Sequence, residues 1–278
     1  MMERRRFLQQ AGLAVAGGAG VLAPAHVLAN AAAERPATNT EGQPKRVLVT
    51  AAETPLAQTL REGLLAAWQV HLTAPTEISV SRPFTKCALE ANDSTRDVVR
   101  GMDAIVHLAF AQADRNPGEQ IDGLVRGTYN LLTAAAAERV RRVVHISSLA
   151  ALRGYDEAFA VTEDWQPRPG DDPTALAEYL AECTSREFAR ERQLEVVALR
   201  IGKVVREESI KGQPFDPLWV DERDVVQAVS LALRTSKLTS PSGTNGWTVL
   251  HILSDSPRAR FSVSKARQLL GYQPEHRG

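Results

Sequence analysis

The chain has 278 residues, with 33 basic and 33 acidic side chains, 44% hydrophobic residues and two cysteines. This composition excludes a largely disordered chain, because the apolar content is average and no long charged block occurs. Two distant cysteines exclude a disulfide scaffold and match no metal-ligand spacing. Zero net charge and 5% aromatic residues argue against a nucleic-acid-binding protein.

The first 29 residues have the pattern of a signal peptide. Arg4 and Arg5 precede an apolar stretch at 11–25 that is rich in alanine and glycine, and small residues close the segment. The paired arginines resemble a twin-arginine signal, which directs folded proteins out of the cytoplasm. The stretch is shorter than the ~20 residues of a membrane-spanning helix, so an N-terminal anchor is the less favoured alternative. We expect a signal at 1–29, a flexible leader at 30–44, no membrane span after cleavage, and a periplasmic or otherwise extracytoplasmic protein.

The remaining sequence alternates between buried strand patterns and amphipathic helix patterns. Apolar runs predict strands at 45–50, 69–74, 85–90, 104–109, 142–148, 195–202 and 248–253. Helical spacing predicts helices at 56–68, 95–100, 121–140, 174–192 and 223–234. Such alternation is typical of a parallel sheet covered by helices on both faces. We therefore expect an α/β fold over 45–278, a single doubly wound domain with a small C-terminal extension on the substrate side, and a ligand crevice at the carboxyl ends of the strands.

Five segments then identify a family by their order and spacing. They are Asp103–Ala109, Gly127–Leu132, Val143–Ser148, Leu199–Gly202 and Val220–Val225. Together they resemble the extended short-chain dehydrogenase/reductases of the NAD-dependent epimerase/dehydratase family, and the tail at 254–272 is most similar to the uronate-dehydrogenase branch. The resemblance implies a Rossmann-like fold, NAD or NADP as cofactor, a sugar-like ligand, and a homodimer formed through paired helices.

The turn after the first strand departs from the family pattern. The resemblance implies three glycines that let the backbone approach a pyrophosphate, but Ala51, Thr54 and Ala57 fill these positions and Glu53 adds a negative charge. Thr54 followed by Pro55 is also the pattern of a helix start that is capped by its own side chain. The positions that match the family's cofactor contacts are Thr50, Ala51, Thr54, Leu56 and Ala109.

The adenosine positions have changed as well. A charged residue usually follows the second strand to hold the adenosine ribose, whereas Thr73, Ala74 and Pro75 stand there, and the family's aspartate near the adenine aligns with Ala88. We therefore expect dinucleotide binding to be weakened or lost, so that the cofactor is NAD, NADP or none.

The catalytic residues are only partly present. Ser148 matches the family's serine, but the tyrosine that acts as general acid/base and the lysine that lowers its pKa align with Thr174 and Glu178. Threonine does not titrate near neutral pH, and a carboxylate raises the pKa of a nearby phenol. Tyr155 and Tyr179 are the alternative acids, although Tyr179 lies about 100° around the helix from position 178.

Two arginines are candidates for binding an anionic substrate, because a guanidinium binds a carboxylate through two hydrogen bonds. They are Arg200 and Arg258. His107, His145 and His251 lie within apolar strands without a second ligand at metal spacing, so we predict structural roles for them and no metal site.

Three hypotheses about function follow. The first is an exported member of the family whose cofactor site and Tyr/Lys pair have decayed, leaving a binding or scaffolding pseudoenzyme. The second is an active NAD(P)-dependent oxidoreductase or epimerase that acts on a sugar or sugar acid. The third is a hydrolase or lyase that uses Ser148 without any nucleotide, for which the sequence shows no base.

Overall fold

A computed structural model describes residues 45–276 except 81–82, 113, 192–193, 215, 236–245 and 255–259. The predicted signal at 1–29, the predicted leader at 30–44 and Arg258 lie outside the described residues. The described residues belong to one compact unit.

The described part of the chain contains nine strands and six α-helices. The strands are β1 (Lys45–Val49), β2 (Trp68–Ala74), β3 (Phe84–Lys86), β4 (Ala104–Leu108), β5 (Arg142–Ser148), β6 (Glu195–Ile201), β7 (Lys203–Val205), β8 (Trp219–Asp221) and β9 (Trp247–Ile252). The helices are α1 (Pro55–Leu64), α2 (Asp93–Val99), α3 (Pro117–Ala137), α4 (Pro173–Arg190), α5 (Glu222–Arg234) and α6 (Ser264–Leu270).

Seven of these strands form one parallel sheet in the order β3-β2-β1-β4-β5-β6-β9. The chain runs outward in one direction from β1 to β3 and then in the other direction from β4 to β9. This order is that of a doubly wound α/β protein, in which ligands bind where the strand order reverses. The predicted α/β fold class is therefore confirmed, and the crevice is expected between β1 and β4.

Alternate side chains of each strand enter two separate cores, because successive residues of a strand point to opposite faces of the sheet. Val47 and Val49 pack with α1, α5 and α6, whereas Leu48 packs with α2, α3 and α4. Both faces are covered, which explains why the strands are apolar throughout instead of alternating with polar residues.

Three helices that border the crevice begin in the same way. Thr54, Asn116 and Asp172 are the N-caps of α1, α3 and α4, and each accepts a hydrogen bond from the first helical turn. Each is followed by a proline, whose fixed φ suits the first helical position and whose missing N–H is not needed there. The start of each helix is thus encoded locally in the sequence.

The predicted elements differ from the structure in several places. Helix α1 ends at Leu64 and β2 begins at Trp68, because the tight turn between them already directs the chain back to the sheet. The strand predicted at 85–90 is wrong beyond Lys86, since Leu89 has a φ of 55° that no strand accommodates. The sequence patterns also missed the parallel pair β7–β8. No described helix is long and apolar enough to cross a membrane.

Candidate functional site

A cleft of about 570 Å³ opens at the carboxyl ends of β1, β2 and β4, where the strand order reverses. The turn after β1, the ends of β2 and β3, and the first turns of α3 form its walls. Its charged lining residues are Glu53, Glu90, Glu119, Arg115 and Arg126. Arg126 is paired with Asp122, so the cleft is not the strongly basic site that a diphosphate would favour.

The turn after β1 closes the start of α1. Ala51 adopts a φ of 53°, the left-handed conformation that suits the glycine of the family pattern and is strained for alanine. The Thr54 hydroxyl donates to the Ala51 carbonyl oxygen at 2.8 Å and accepts from the Ala57 N–H at 3.3 Å. The predicted helix cap is therefore confirmed.

Only two of the five predicted cofactor-binding residues line the cleft. They are Thr50 and Ala51, and the Thr50 hydroxyl is bound to the His107 ring (2.9 Å) and to the Leu108 N–H (3.0 Å). Thr54 is engaged in capping α1 and does not line the cleft, and Leu56 and Ala109 are buried against the sheet. The structure does not bring these three side chains to the cleft, because the chain turns into α1 or continues under the sheet at these points.

The adenosine end of the cleft is mainly apolar. Thr73, Ala74 and Pro75 line it after β2, and Ala88 and Leu89 line it after β3. An apolar wall suits a flat ring, but these side chains offer no charged group to a ribose hydroxyl.

The turn after β1 does not fit the diphosphate of a dinucleotide. Pro55 has no amide hydrogen, and the Ala57 amide is already taken by Thr54, so two of the first three amide positions of α1 are closed to a phosphate. The Glu53 carboxylate lines the same wall and repels an anion. The residues present therefore do not reproduce the family's cofactor site.

Ser148 and Glu178 meet at the carboxyl end of β5. Ser148 is the last residue of β5, and Glu178 lies on the second turn of α4, where only 7% of it is exposed. The carboxyl group accepts hydrogen bonds from the Ala111 N–H (3.3 Å) and from the Ser148 hydroxyl. Burial raises the pKa of Glu178 to about 7, although both hydrogen bonds act in the opposite direction.

Thr174 lies one helical turn before Glu178 and points toward the same side. Its hydroxyl donates to Gln120 Oε1 at 2.8 Å, and Gln120 in turn lines the cleft. The hydroxyl is therefore held by a residue of the cleft wall, and threonine itself does not titrate near neutral pH.

Neither alternative tyrosine is placed beside Ser148 by a contact in the described residues. The Tyr155 hydroxyl donates to the Gln166 carbonyl oxygen at 2.6 Å, and its ring packs on Trp165. Burial is the main cause that raises the pKa of Tyr179, followed by its hydrogen bond to Cys183. A raised pKa makes Tyr179 a weaker acid, so the structure adds no support for it as a substitute for the missing phenol.

Arg200 is held by Glu182 in the interior. Nε and Nη2 of Arg200 lie 3.0 and 2.6 Å from the Glu182 carboxylate oxygens, and both side chains are 4% exposed. The side chain does not line the cleft. The structure thus gives Arg200 an internal partner, because β6 directs it toward α4, and its predicted substrate role stays a prediction.

The three strand histidines are buried and uncharged. Burial lowers the pKa of His107 and of His145 to about 3 and that of His251 well below its usual value. His107 links Thr50 on β1 to Thr128 on α3, with 2.9 Å on each side. Across the described residues no group of three His, Cys, Asp or Glu side chains is placed to hold a metal ion.

Two parts of this site were not found by sequence reasoning. The Ala111 N–H that binds Glu178 is a backbone group, which carries no sequence signal. Gln120 lies in the first turns of α3, and helix periodicity is its only feature in the sequence. Its contact with Thr174 joins residues that are 54 positions apart, so no local pattern predicts it.

The sequence and the structure are similar to known oxidoreductases. A model of the NAD dependent epimerase/dehydratase family matches residues 27–217. Uronate dehydrogenase of Pseudomonas syringae pv. tomato is 26% identical over 219 residues, which are 76% of this chain and 75% of that protein. The uronate dehydrogenase of Agrobacterium fabrum is 27% identical over 202 residues, 71% and 75% of the two chains.

Solved structures agree with this assignment. The crystal structure of uronate dehydrogenase from Agrobacterium tumefaciens has a TM-score of 0.71 and 25% identity, and the match covers 84% of this chain and 85% of that one. Glucuronic acid dehydrogenase from Chromohalobacter salexigens has a TM-score of 0.72 at 21% identity, with 84% and 86% coverage. The family match over 27–217, together with the doubly wound sheet and its cleft, shows that this chain belongs to the NAD dependent epimerase/dehydratase family.

Proposed function

We propose that this protein is a pseudoenzyme with respect to hydride transfer, with a weakened or absent dinucleotide site and a binding or scaffolding role. The observation that carries the proposal is the surface of α4 next to Ser148. Helix α4 carries Thr174 and the buried Glu178 there, and the sequence resemblance aligns these two residues with the family's tyrosine and lysine. A carboxylate does not lower the pKa of a neighbouring hydroxyl group. It also does not supply the positive charge that the lysine of the family has.

Titration calorimetry on the purified full-length protein tests this proposal. NAD⁺, NADH, NADP⁺ and NADPH are expected to bind no tighter than about 100 µM, which is about −5.5 kcal/mol. The purified sample is also expected to lack the absorbance of carried-over nucleotide. Tighter binding of any of the four dinucleotides would contradict the weakened site.

The second candidate is an NAD-dependent oxidoreductase that acts on a sugar acid. The similarity to two uronate dehydrogenases over three quarters of their length favours it, as does the position of the cleft at the strand ends. NAD is the cofactor to test first, since the family is NAD dependent. Formation of NADH from glucuronate or galacturonate, abolished by Ser148→Ala, would favour this candidate over the first.

Export is a separate proposal. We infer that residues 1–29 are a twin-arginine signal, that 30–44 are a leader and that the domain at 45–278 acts outside the cytoplasm. The sequence of Arg4, Arg5 and the apolar stretch supports this inference. Replacing both arginines by lysine is expected to leave the protein in the cytoplasmic fraction, and unchanged export would contradict the assignment.

A homodimer is proposed as well. Helices α3 and α4 lie side by side, and Tyr129 on α3 is 54% exposed although its ring packs on Phe188 of α4. An exposed aromatic pair on adjacent helices is a feature that dimerisation would cover. Light scattering after gel filtration should give twice the chain mass, and Tyr129→Glu should reduce it to one chain.

A further inference from the structure

The structure places a base where the sequence showed none. Glu178 is only 7% exposed, and its carboxyl group is bound by the Ala111 N–H at 3.3 Å and by the Ser148 hydroxyl.

No ion pair of the described residues includes Glu178.

The pair Ser148–Glu178 adjoins the cleft. Ala111, whose N–H binds Glu178, lines the cleft, and so does Gln120, which holds Thr174 one turn before Glu178. Ser148 is only partly buried, and its hydroxyl also accepts a hydrogen bond from the Ala150 N–H at 3.1 Å.

The charged groups nearest to Glu178 do not neutralise it. Asp172 of the α4 N-cap and Arg153 act on it in opposite directions, and these two lie 3.7 Å apart as an exposed pair. The protonation of Glu178 is therefore governed by its burial and its two hydrogen bonds.

We propose that Ser148 and Glu178 form a proton-transfer site for a reducing sugar acid, in which Glu178 is the general base and Ser148 binds the carbonyl oxygen. Arg115 is exposed and lines the cleft, where its guanidinium suits the substrate carboxylate. The inference rests on the proposed function, because the site is proposed to act without a bound dinucleotide as hydride acceptor.

The step is balanced without an oxidant. The Glu178 carboxylate takes the proton from the carbon next to the carbonyl group, and the electron pair of that C–H bond forms a C=C bond. The carbonyl π electrons move to the oxygen, which the Ser148 hydroxyl stabilises after turning from Glu178 to the substrate. Return of a proton from Glu178 to the same carbon restores the carbonyl compound, so nothing is oxidised or reduced.

The protonation state of Glu178 suits this role. A general base works best when its pKa lies near the working pH, and burial raises the pKa of Glu178 to about 7. We expect the rate to rise with pH up to about 7 and then to level off, since only the carboxylate accepts a proton.

Deuterium exchange tests the proposal. The full-length protein is incubated with D-glucuronate or D-galacturonate in D₂O without dinucleotide, and NMR follows the proton on the carbon next to the aldehyde. Exchange is expected to exceed the rate without protein by at least about tenfold, and Glu178→Gln is expected to slow it by about 100-fold or more. Absence of exchange with both probes would overturn the proposal.

Matched variants separate catalysis from folding. Glu187→Gln changes an exposed carboxylate on the same helix and should leave the exchange rate unchanged. Arg115→Gln should raise KM with little change in kcat, and Glu178→Asp should restore part of the rate and of the pH profile. Equal exchange in wild type and Glu178→Gln, with both folded by circular dichroism, would also overturn the proposal.

The two proposals fail in different ways. Formation of NADH in a parallel sample with NAD⁺ would contradict the proposed absence of hydride transfer. Failure to incorporate deuterium next to the aldehyde would contradict the proton-transfer site alone.

Discussion

Glu178 aligns, through the sequence resemblance, with the lysine of the family. An amine at this position would be charged and would hold hydroxyl groups, whereas the buried carboxyl group is close to half protonated at neutral pH. The charge of such a group depends on pH. Both of our functional proposals for the end of β5 rest on this side chain.

The stability of the protein should report the state of Glu178. Its pKa is about 7 in the folded chain against 4.5 as the usual value, so the folded state holds a proton that the unfolded state has lost. Stability therefore falls as the pH rises from about 4.5 to about 7, by about 3 kcal/mol in total. Glu178→Gln should remove this dependence and be the more stable chain at pH 8. Urea unfolding at pH 5 and pH 8 measures the free energy of unfolding of both chains. If this free energy depends on pH in the variant as it does in the wild type, the prediction is contradicted.

Among the elements, helix α1 begins with an internal cap. Thr54 binds the backbone at both Ala51 and Ala57, so the helix end is satisfied by the chain itself. The bond from the Ala57 N–H occupies one amide group that could otherwise bind a phosphate.

Thr54→Ala tests the energetic role of this cap. Loss of an N-cap hydroxyl costs about 1 kcal/mol, which corresponds to a decrease in Tm of about 2–4 °C in a domain of this size. Glu53→Ala, at an exposed neighbour that makes no cap, should stay within about 0.5 kcal/mol. Thermal unfolding followed by circular dichroism gives both values, and equal shifts would contradict the capping role.

Helix α4 is fixed to β6 by the pair Glu182–Arg200. Both side chains are 4% exposed, so removing one partner leaves a buried charge without compensation. Glu182→Ala should destabilise the protein by about 3–5 kcal/mol, as measured by urea unfolding. Glu187→Ala on the same helix is the control and should change stability by less than about 0.5 kcal/mol. A loss below about 1 kcal/mol for Glu182→Ala would mean that water reaches Arg200.

At the scale of the whole molecule, the buried histidines make the fold sensitive to acid. His107, His145 and His251 have pKa values below the usual 6.5, so the stability that depends on their neutral form is present above about pH 6.5 and is lost as the pH falls. With pKa values of about 3, His107 and His145 each lower the free energy of unfolding by about 2 kcal/mol at pH 5 relative to pH 7, and His251 acts in the same direction. Glu178 acts in the opposite direction over the same range.

The effect of the histidines is therefore best measured in the Glu178→Gln variant, because the opposing contribution of Glu178 is absent there. Its free energy of unfolding should fall by about 4 kcal/mol between pH 7 and pH 5 through His107 and His145, with a further decrease from His251. Calorimetry in two buffers should show uptake of at least about two protons on unfolding at pH 5, one each for His107 and His145. Unfolding without proton uptake would contradict the assignment of these side chains as neutral in the fold.

The sequence by itself determined the alternating elements, the parallel sheet and the helix starts, because these depend on residues that are neighbours along the chain. Thr54 before Pro55 predicts its cap from two adjacent letters, and the helical period places Thr174 and Glu178 on one face. The departures from the family's glycine turn and Tyr/Lys pattern are predictions from the sequence for the same reason, since each pattern is local.

Only the tertiary structure decided what the replaced residues do. Glu178 is bound by Ala111, which is 67 residues away, and Arg200 by Glu182, which is 18 residues away on another element. Burial and protonation depend on all the groups that packing brings around a side chain, and no local pattern records them. The sequence therefore predicts a carboxyl group at the lysine position of the family, whereas the fold shows that this group is buried beside Ser148.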